Sequence, residues 1–267
     1  MADLVSRIEA LDTVVFAAIH SQTTQADRRS LLALHAAVAR ANGGFSYLEI
    51  GSHLGGSLQA VIQDHRCRQI TSIDLRPQEL ADARLGTARY EGNSTARMLE
   101  LLSRLPEPDL GKLTTIDAST SELDPDAVRS APDWCFVDAE HTDEAVLRDA
   151  RFCRRVLGSA GVIAFHDCKT TPAAIRDFLR EAEHDFTYAV ALPGSVFAVE
   201  FGDRAILRSP AVARAGGGWW HSLLWRLANL RPGSSRLVSA GWLVQRGLDV
   251  VALRLSRRRR SDRTLAA

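Results

Sequence analysis

Five short apolar runs in this 267-residue chain end in residues able to do chemistry. The first, Phe45 to Ile50, carries Glu49 and opens onto Gly51-Ser52-His53-Leu54-Gly55-Gly56-Ser57. The others end in Asp74, in Asp117-Ala118-Ser119, in Asp138-Ala139-Glu140-His141 and in His166-Asp167. A glycine turn between a strand and a helix lets the backbone approach a ligand, and the helix N-terminus offers free N–H groups. A dinucleotide fingerprint, G-x-G-x-x-G, needs its second glycine so that a pyrophosphate can come close. Here that position is His53. The negative charge of Glu49 opposes a pyrophosphate further. Both features argue against NAD or FAD, and so against a nicotinamide-dependent oxidoreductase. They suit a cationic cofactor without phosphate. Asp74 follows the turn by about 20 residues, where an acidic residue takes ribose hydroxyls. Two hydroxyls can donate to one carboxylate.

Asp138 and Asp167 end adjacent strands of the series. As hard carboxylates they could share a divalent cation such as Mg²⁺ or Mn²⁺. His141 or His166 could take a proton from a substrate hydroxyl, since histidine titrates near working pH. The bland counterpart is a metal-free, hydrogen-bonded Asp/His cluster that orients loops. Any single acidic strand end reads as a helix cap or a solvated loop. Three in the expected order favour a binding site.

The elements that must position these groups follow from periodicity. Residues 2–20 carry apolar side chains at helical spacing and predict an amphipathic helix. Asp27 is placed to cap a second helix that ends at Asn42-Gly43-Gly44. Strands are expected over 45–50, 69–74, 113–117, 134–138 and 161–167. Helices are expected from Gly56 and over 78–89, 93–105, 120–130, 143–157 and 172–184. Strand–helix alternation implies crossover connections and a parallel sheet. The strands are continuously apolar, as strands buried on both faces should be. The alternation then stops. FTYAVAL and VFAVEF are separated only by Pro193-Gly194-Ser195, which predicts a closing antiparallel hairpin. The fold class is therefore a doubly wound α/β domain. Ligands of such sheets bind outside the carboxyl ends of the strands, so all five clusters should face one crevice.

In order, EIGSHLGGS, SIDL, IDAS, CFVDAEHTDEAVLRD and GVIAFHDC resemble the class I S-adenosylmethionine-dependent methyltransferases. The likeness is strongest to the branch of catechol-type and bacterial sugar or natural-product O-methyltransferases, and spans about residues 40–201. It implies a Rossmann-like, seven-stranded sheet with a reversed last strand. It implies S-adenosylmethionine contacts from Glu49, Gly51, Ser57, Asp74 and Ser119, with Ser52, His53, Gly55, Leu75, Asp117, Ala118 and Asp138 beside them. Asp117-Ala118-Ser119 would hold the adenine edge. Asp138 and Asp167 match the positions that bind metal in catechol-type members. One departure is Cys168, where those members often have Asn; a thiol is a poor ligand for a hard cation. The catalytic candidates are Asp138, His141 and His166. His141 is the first choice of general base if no metal takes part. The acceptor would be a hydroxyl on a small molecule or glycan.

At 46% hydrophobic and 24% charged residues the body of the chain should be globular. Cys67, Cys135, Cys153 and Cys168 form no C-x-x-C pair, so neither zinc nor a disulfide framework is indicated. A reducing, cytoplasmic compartment fits. No secretory signal and no bilayer-spanning run is evident. The net charge of +1 hides a split. From Arg204 onward the chain is +11, with thirteen arginines, no lysine and two acids, whereas residues 1–203 are −10. Gly216-Gly217-Gly218 reads as a linker, followed by two Trp-rich amphipathic helices and RRRR at 257–260. Three parts are expected: N-terminal helices over 1–44, the cofactor domain over 45–203 and a basic extension over 204–267. Residues 216–260 either lie on the anionic inner face of a membrane, or pack on the domain or a second subunit as a homodimer. Nucleic acid is not an expected partner, because the basic residues are interleaved with a large apolar face. The alternative to an enzyme is a non-catalytic binding module that works through this tail.

Overall fold

The computed structural model describes residues 3–76, 79–82 and 86–216. In chain order the elements are α1 (Leu4–Glu9), α2 (Gln25–Asn42), β1 (Phe45–Ile50), α3 (Gln59–Gln63) and β2 (Cys67–Ile73). A small hairpin of β3 (Glu79–Asp82) and β4 (Gly86–Arg89) precedes α4 (Thr95–Ser103) and β5 (Leu113–Ile116). Then come β6 (Trp134–Val137), α5 (Asp143–Val156), β7 (Gly161–Phe165), α6 (Pro172–Glu181), β8 (Phe186–Ala191), β9 (Phe197–Phe201) and α7 (Pro210–Ala215).

The main sheet has seven strands in the order β5-β2-β1-β6-β7-β9-β8. β5, β2, β1, β6 and β7 run parallel, and β9 lies antiparallel between β7 and β8. This is the expected mixed sheet with a reversed last strand. The chain leaves β1 for β2 on one side and later returns to β6 on the other. The crevice at the carboxyl ends of β1 and β6 is therefore the topological switch point, where open α/β sheets bind ligands. β6 and β7 are buried at every position, which accounts for their unbroken apolar runs.

Several elements differ from the sequence expectation. Residues 79–89 form the β3–β4 hairpin rather than a helix, and Gly86 adopts a φ of +77° that a helix would not accept. Residues 120–130 hold only a 3₁₀ turn at Pro125–Ala127, because Pro125 lacks the N–H that a helix interior needs. The N-terminal helix stops at Glu9, and Leu11 turns left-handed at φ +57°. Asp12 then caps a 3₁₀ turn over Thr13–Phe16. Thr24, not Asp27, is the N-cap of α2; Asp27 is the third residue of a capping box. α3 begins at Gln59 rather than Gly56, where a side chain would run into the backbone and side chain of His20 and Ser21.

Beyond β9 the chain folds back onto α2. Buried Glu200 accepts from Ile206 N at 2.8 Å and Leu207 N at 3.0 Å. Ile206, Leu207, Val212 and Ala215 then join the core that contains α1 and α2. Residues 206–215 are thus packed on the helices at the start of the chain. The expected linker and Trp-rich helices of 217–267 lie outside the described residues. Among the described residues no helix is long and apolar enough to cross a membrane.

Candidate active site

Two cavities open side by side at the strand ends. The larger, about 310 Å³, is lined by Gly51, Asp74, Leu75, Ala118, Ser119 and Asp138, among others. Leu75 is 54% exposed, one of two large apolar side chains exposed among the described residues. A Leu held open on a cavity wall suits the face of a flat heterocycle. Asp74 is buried beside it. Its Oδ2 accepts from His53 N at 2.8 Å and its Oδ1 from Arg76 N at 2.7 Å. The Arg76 guanidinium donates to the His53 carbonyl at 2.7 Å and lies 3.3 Å from Asp74 Oδ2. It thereby ties the first strand end to the second.

The second cavity, about 170 Å³, lies on the other side of Gly51 and His53. Its walls are polar: Asp27, Ser57, Asp138, His141, His166 and Asp167. Gly51, His53, Tyr90 and Asp138 line both cavities. Gly51, at φ +93°, packs so closely on the Asp138 carbonyl that a Cβ would collide with it. That contact joins the ends of β1 and β6. His53 at φ +44° and Asp167 at φ +46° also hold left-handed backbone, an uncommon and costly state for non-glycine residues. The His53 ring meets Tyr90 edge-on at 5.3 Å.

Asp138 is the hub of the second cavity. His166 Nδ1 donates to its Oδ1 at 2.8 Å. His141 Nε2 stands 3.6 Å from Asp138 Oδ1 and 3.3 Å from Asp167 Oδ2. The other His166 nitrogen, Nε2, lies 3.5 Å from Asp27 Oδ2, an ion-pair distance longer than a good hydrogen bond. His166 therefore sits between the buried Asp27 carboxylate and the half-buried one of Asp138. Burial alone would depress its pKa, but Asp138, Asp27 and Asp167 outweigh burial and raise it well above the ordinary histidine value. These carboxylates thus favour the protonated ring. Burial likewise opposes ionisation of Asp138, yet His166 and His141 hold its carboxyl below the usual range. Ligand atoms of Asp138, His141 and His166 lie within 4.8 Å of one another.

Residues 48–168 match the family model described as a methyltransferase domain. That stretch, a little under half of the chain, is a methyltransferase domain. No curated protein matches it in sequence. Among solved structures it resembles the O-methyltransferase NovP, with 12% identity, TM-score 0.51, and 75% of this chain and 100% of that one covered. It also resembles the methyltransferase MycE of the mycinamycin pathway, solved with Mg, S-adenosylhomocysteine and mycinamycin VI, at 16% identity and TM-score 0.50. That match covers 74% of this chain and 55% of the longer MycE chain. A putative O-methyltransferase from Klebsiella pneumoniae aligns at 17% identity and TM-score 0.48, covering 76% and 91% of the two chains. At such identities the likeness is one of fold.

The methyltransferase brings most of its sequence-marked residues to these cavities, with three exceptions. Glu49 lies behind the turn, fully buried, and accepts from Tyr47 Oη at 2.9 Å and from Ser57 Oγ. Burial, aided by the Asp138 charge, lifts its carboxyl to about 8 even though Ser57 and Tyr47 donate to it. Asp117 turns away from the cavity and accepts from Thr95 Oγ1 at 2.5 Å. Gly55, at φ +81°, packs against Met98 and Leu102. Ser52 lines the smaller cavity, while its hydroxyl pairs with Ser72 at 2.6 Å. Cys168 is buried, and its backbone N donates to the Ser195 carbonyl at 3.0 Å.

Asp27 is the residue that sequence reasoning missed. It is 1% exposed and lines the second cavity. Its Oδ1 accepts from Ser195 N at 2.7 Å and Ser195 Oγ at 3.1 Å, and its Oδ2 from Thr24 N at 2.8 Å. Gly194, at φ +83°, leaves room that any side chain would take from Asp27. The only signal in the sequence, Thr24-x-x-Asp27, reads as an ordinary capping box.

Proposed function

We propose that this methyltransferase moves the methyl group of S-adenosylmethionine to a hydroxyl oxygen of a small-molecule or glycan acceptor. The observation that carries this is the meeting of two unlike cavities at Asp138. One has an apolar wall at Leu75 and a carboxylate at Asp74, which suits an adenosyl group. The other gathers carboxylates and imidazoles, which suits a hydroxyl that must lose a proton. The solved complex of MycE holds both S-adenosylhomocysteine and mycinamycin VI, in keeping with such a division.

The methyl of a sulfonium is already activated. The protein's task is to hold an acceptor oxygen in line with it, about 3 Å away, and to remove the hydroxyl proton. His141 faces Asp138 and Asp167, which can hold the ring after it takes that proton. His166 is engaged between Asp138 at 2.8 Å and Asp27 at 3.5 Å, and its role is to fix the Asp138 carboxylate. Alternatively, Asp138 and Asp167 are hard oxygen donors that would suit Mg²⁺ or Mn²⁺, and His141, between them at 3.6 and 3.3 Å, would then be a nitrogen donor instead of the base. Bound there, such a cation would lower the pKa of the acceptor hydroxyl. MycE was solved with Mg bound.

The test is a methyl-transfer assay on the full chain, read by mass spectrometry. Catechols and sugar glycosides serve as acceptors, with Mg²⁺, with Mn²⁺ and with chelator. Methyl ethers formed on hydroxyls, and lost in an Asp138→Asn variant, support the proposal. Methylation of amines or thiols instead, with hydroxyls untouched, overturns it. The +11 segment from Arg204 supports a second, separable proposal, contact with an anionic membrane. Flotation with anionic vesicles should be lost on truncation after Gly216. Equal flotation of both forms, or of neither, rejects it.

A further inference from the structure

The larger cavity has a floor that none of the strand-end residues supplies. Asp149, in the second turn of α5, lines that cavity and is 1% exposed. Its Oδ1 is fully engaged: Thr120 Oγ1 donates to it, and so does Arg148 Nε at 3.2 Å. Its Oδ2 is buried and has no hydrogen-bond partner among the described residues. Burial raises the carboxyl's pKa, and the Thr120 and Arg148 contacts pull it back. Buried carboxylate oxygens are almost always satisfied, so an open one calls for a donor from outside the chain.

Its surroundings narrow the donor. Ala118, Ser119 and Thr120 of the loop after β5 stand beside Asp149, and Leu75 forms another part of the same wall. Asp74 is tied to the turn after β1 through His53 N at 2.8 Å, and a ribose held there would leave the base toward the Leu75 wall. A flat base lying on Leu75 would turn its outer edge toward α5. Glu122 and Glu140 also line the cavity, but Glu122 is exposed, and Glu140 accepts from Thr142 Oγ1 at 2.9 Å. We propose that Asp149 Oδ2 accepts a hydrogen bond from the exocyclic amino group of the cofactor's adenine. Asp149 is then the residue by which this enzyme tells adenine from a 6-oxo purine. The inference rests on the S-adenosylmethionine reading of the cavity.

The experiment compares three ligands by calorimetry on the full chain. They are S-adenosylhomocysteine, S-inosylhomocysteine with oxygen in place of the amino group, and the 6-deamino analogue with neither. A site built to accept from an N–H rejects the analogues that lack it. The wild type should bind S-adenosylhomocysteine about tenfold or more tightly than either analogue. In Asp149→Asn the advantage over the inosyl compound should shrink to near unity or invert, because the amide N–H can donate to the 6-oxo group. An unchanged ratio in D149N overturns the proposal. Equal binding of all three by the wild type overturns it without any variant, so the test stands even if D149N fails to fold. No binding of any of them by folded wild-type protein is a different result. It removes the cofactor reading itself.

Discussion

The two cavities that meet at Asp138 are built in different ways. The Leu75 cavity is made by the ends of neighbouring parallel strands, together with the loops and helix that follow them. The His166 cavity borrows half its wall from elsewhere. Asp27 reaches in from α2, and Ser195 from the β8–β9 turn, 168 positions further along the chain. The first kind of site is a product of the fold's topology, and any sheet of this type has one. The second depends on long-range contacts particular to this chain. Cofactor binding should therefore tolerate changes that chemistry does not.

The largest expected effect tests the shared wall. Asp138→Asn should lower kcat by roughly 10³-fold, because it removes the charge that orients His166 and any cation. S-adenosylmethionine affinity should stay within about threefold, since Asp138 is one of many residues lining the larger cavity and Asp74 and Leu75 are unchanged. If affinity falls along with kcat, the two cavities are not functionally separate. Next comes Asp27→Asn, which keeps shape but removes the second carboxylate beside His166. It should lower kcat by about 10- to 100-fold with cofactor affinity unchanged. Asp27→Glu should not rescue it, since Oδ1 and Oδ2 are both committed at fixed distances. On the other side, Leu75→Ser should weaken S-adenosylmethionine binding by about 10-fold and leave kcat at saturation unchanged.

The smallest effect concerns Glu49, buried behind both cavities. Its carboxyl sits at about 8 in the folded chain, against about 4.3 for an unfolded glutamate. Between those values the folded state keeps a proton that the unfolded chain has released. Stability contributed by this group therefore falls as pH rises through that window, and is level outside it. Glu49→Gln should raise the melting temperature relative to wild type by a few degrees near pH 8 and by almost nothing near pH 5.

The same contrast marks how far the sequence could be read. Strand runs such as WCFV and GVIAF are buried throughout and stand out as unbroken apolar stretches. Their ends carry Asp74, Asp138, His166 and Asp167, so the residues at the switch point were legible with them. Short elements without a repeating pattern were not: β3 and β4 have four residues each, too few to show a period. Glu49 and Asp117 were marked by type alone, and type does not say which way a side chain turns. Asp27 was invisible because its capping-box chemistry is local, whereas its contact with His166 exists only once α2 has packed against the sheet. Asp149 was hidden likewise, since its Thr120 partner lies 29 positions away.

The division of labour between the cavities requires that the strand-end crevice bind S-adenosylmethionine and not a dinucleotide. Calorimetric titration of the full chain with S-adenosylmethionine, and in parallel with NAD, tests it most directly. Micromolar binding of the first and none of the second is expected. Binding of NAD, or no binding of S-adenosylmethionine by protein shown to be folded, would contradict it.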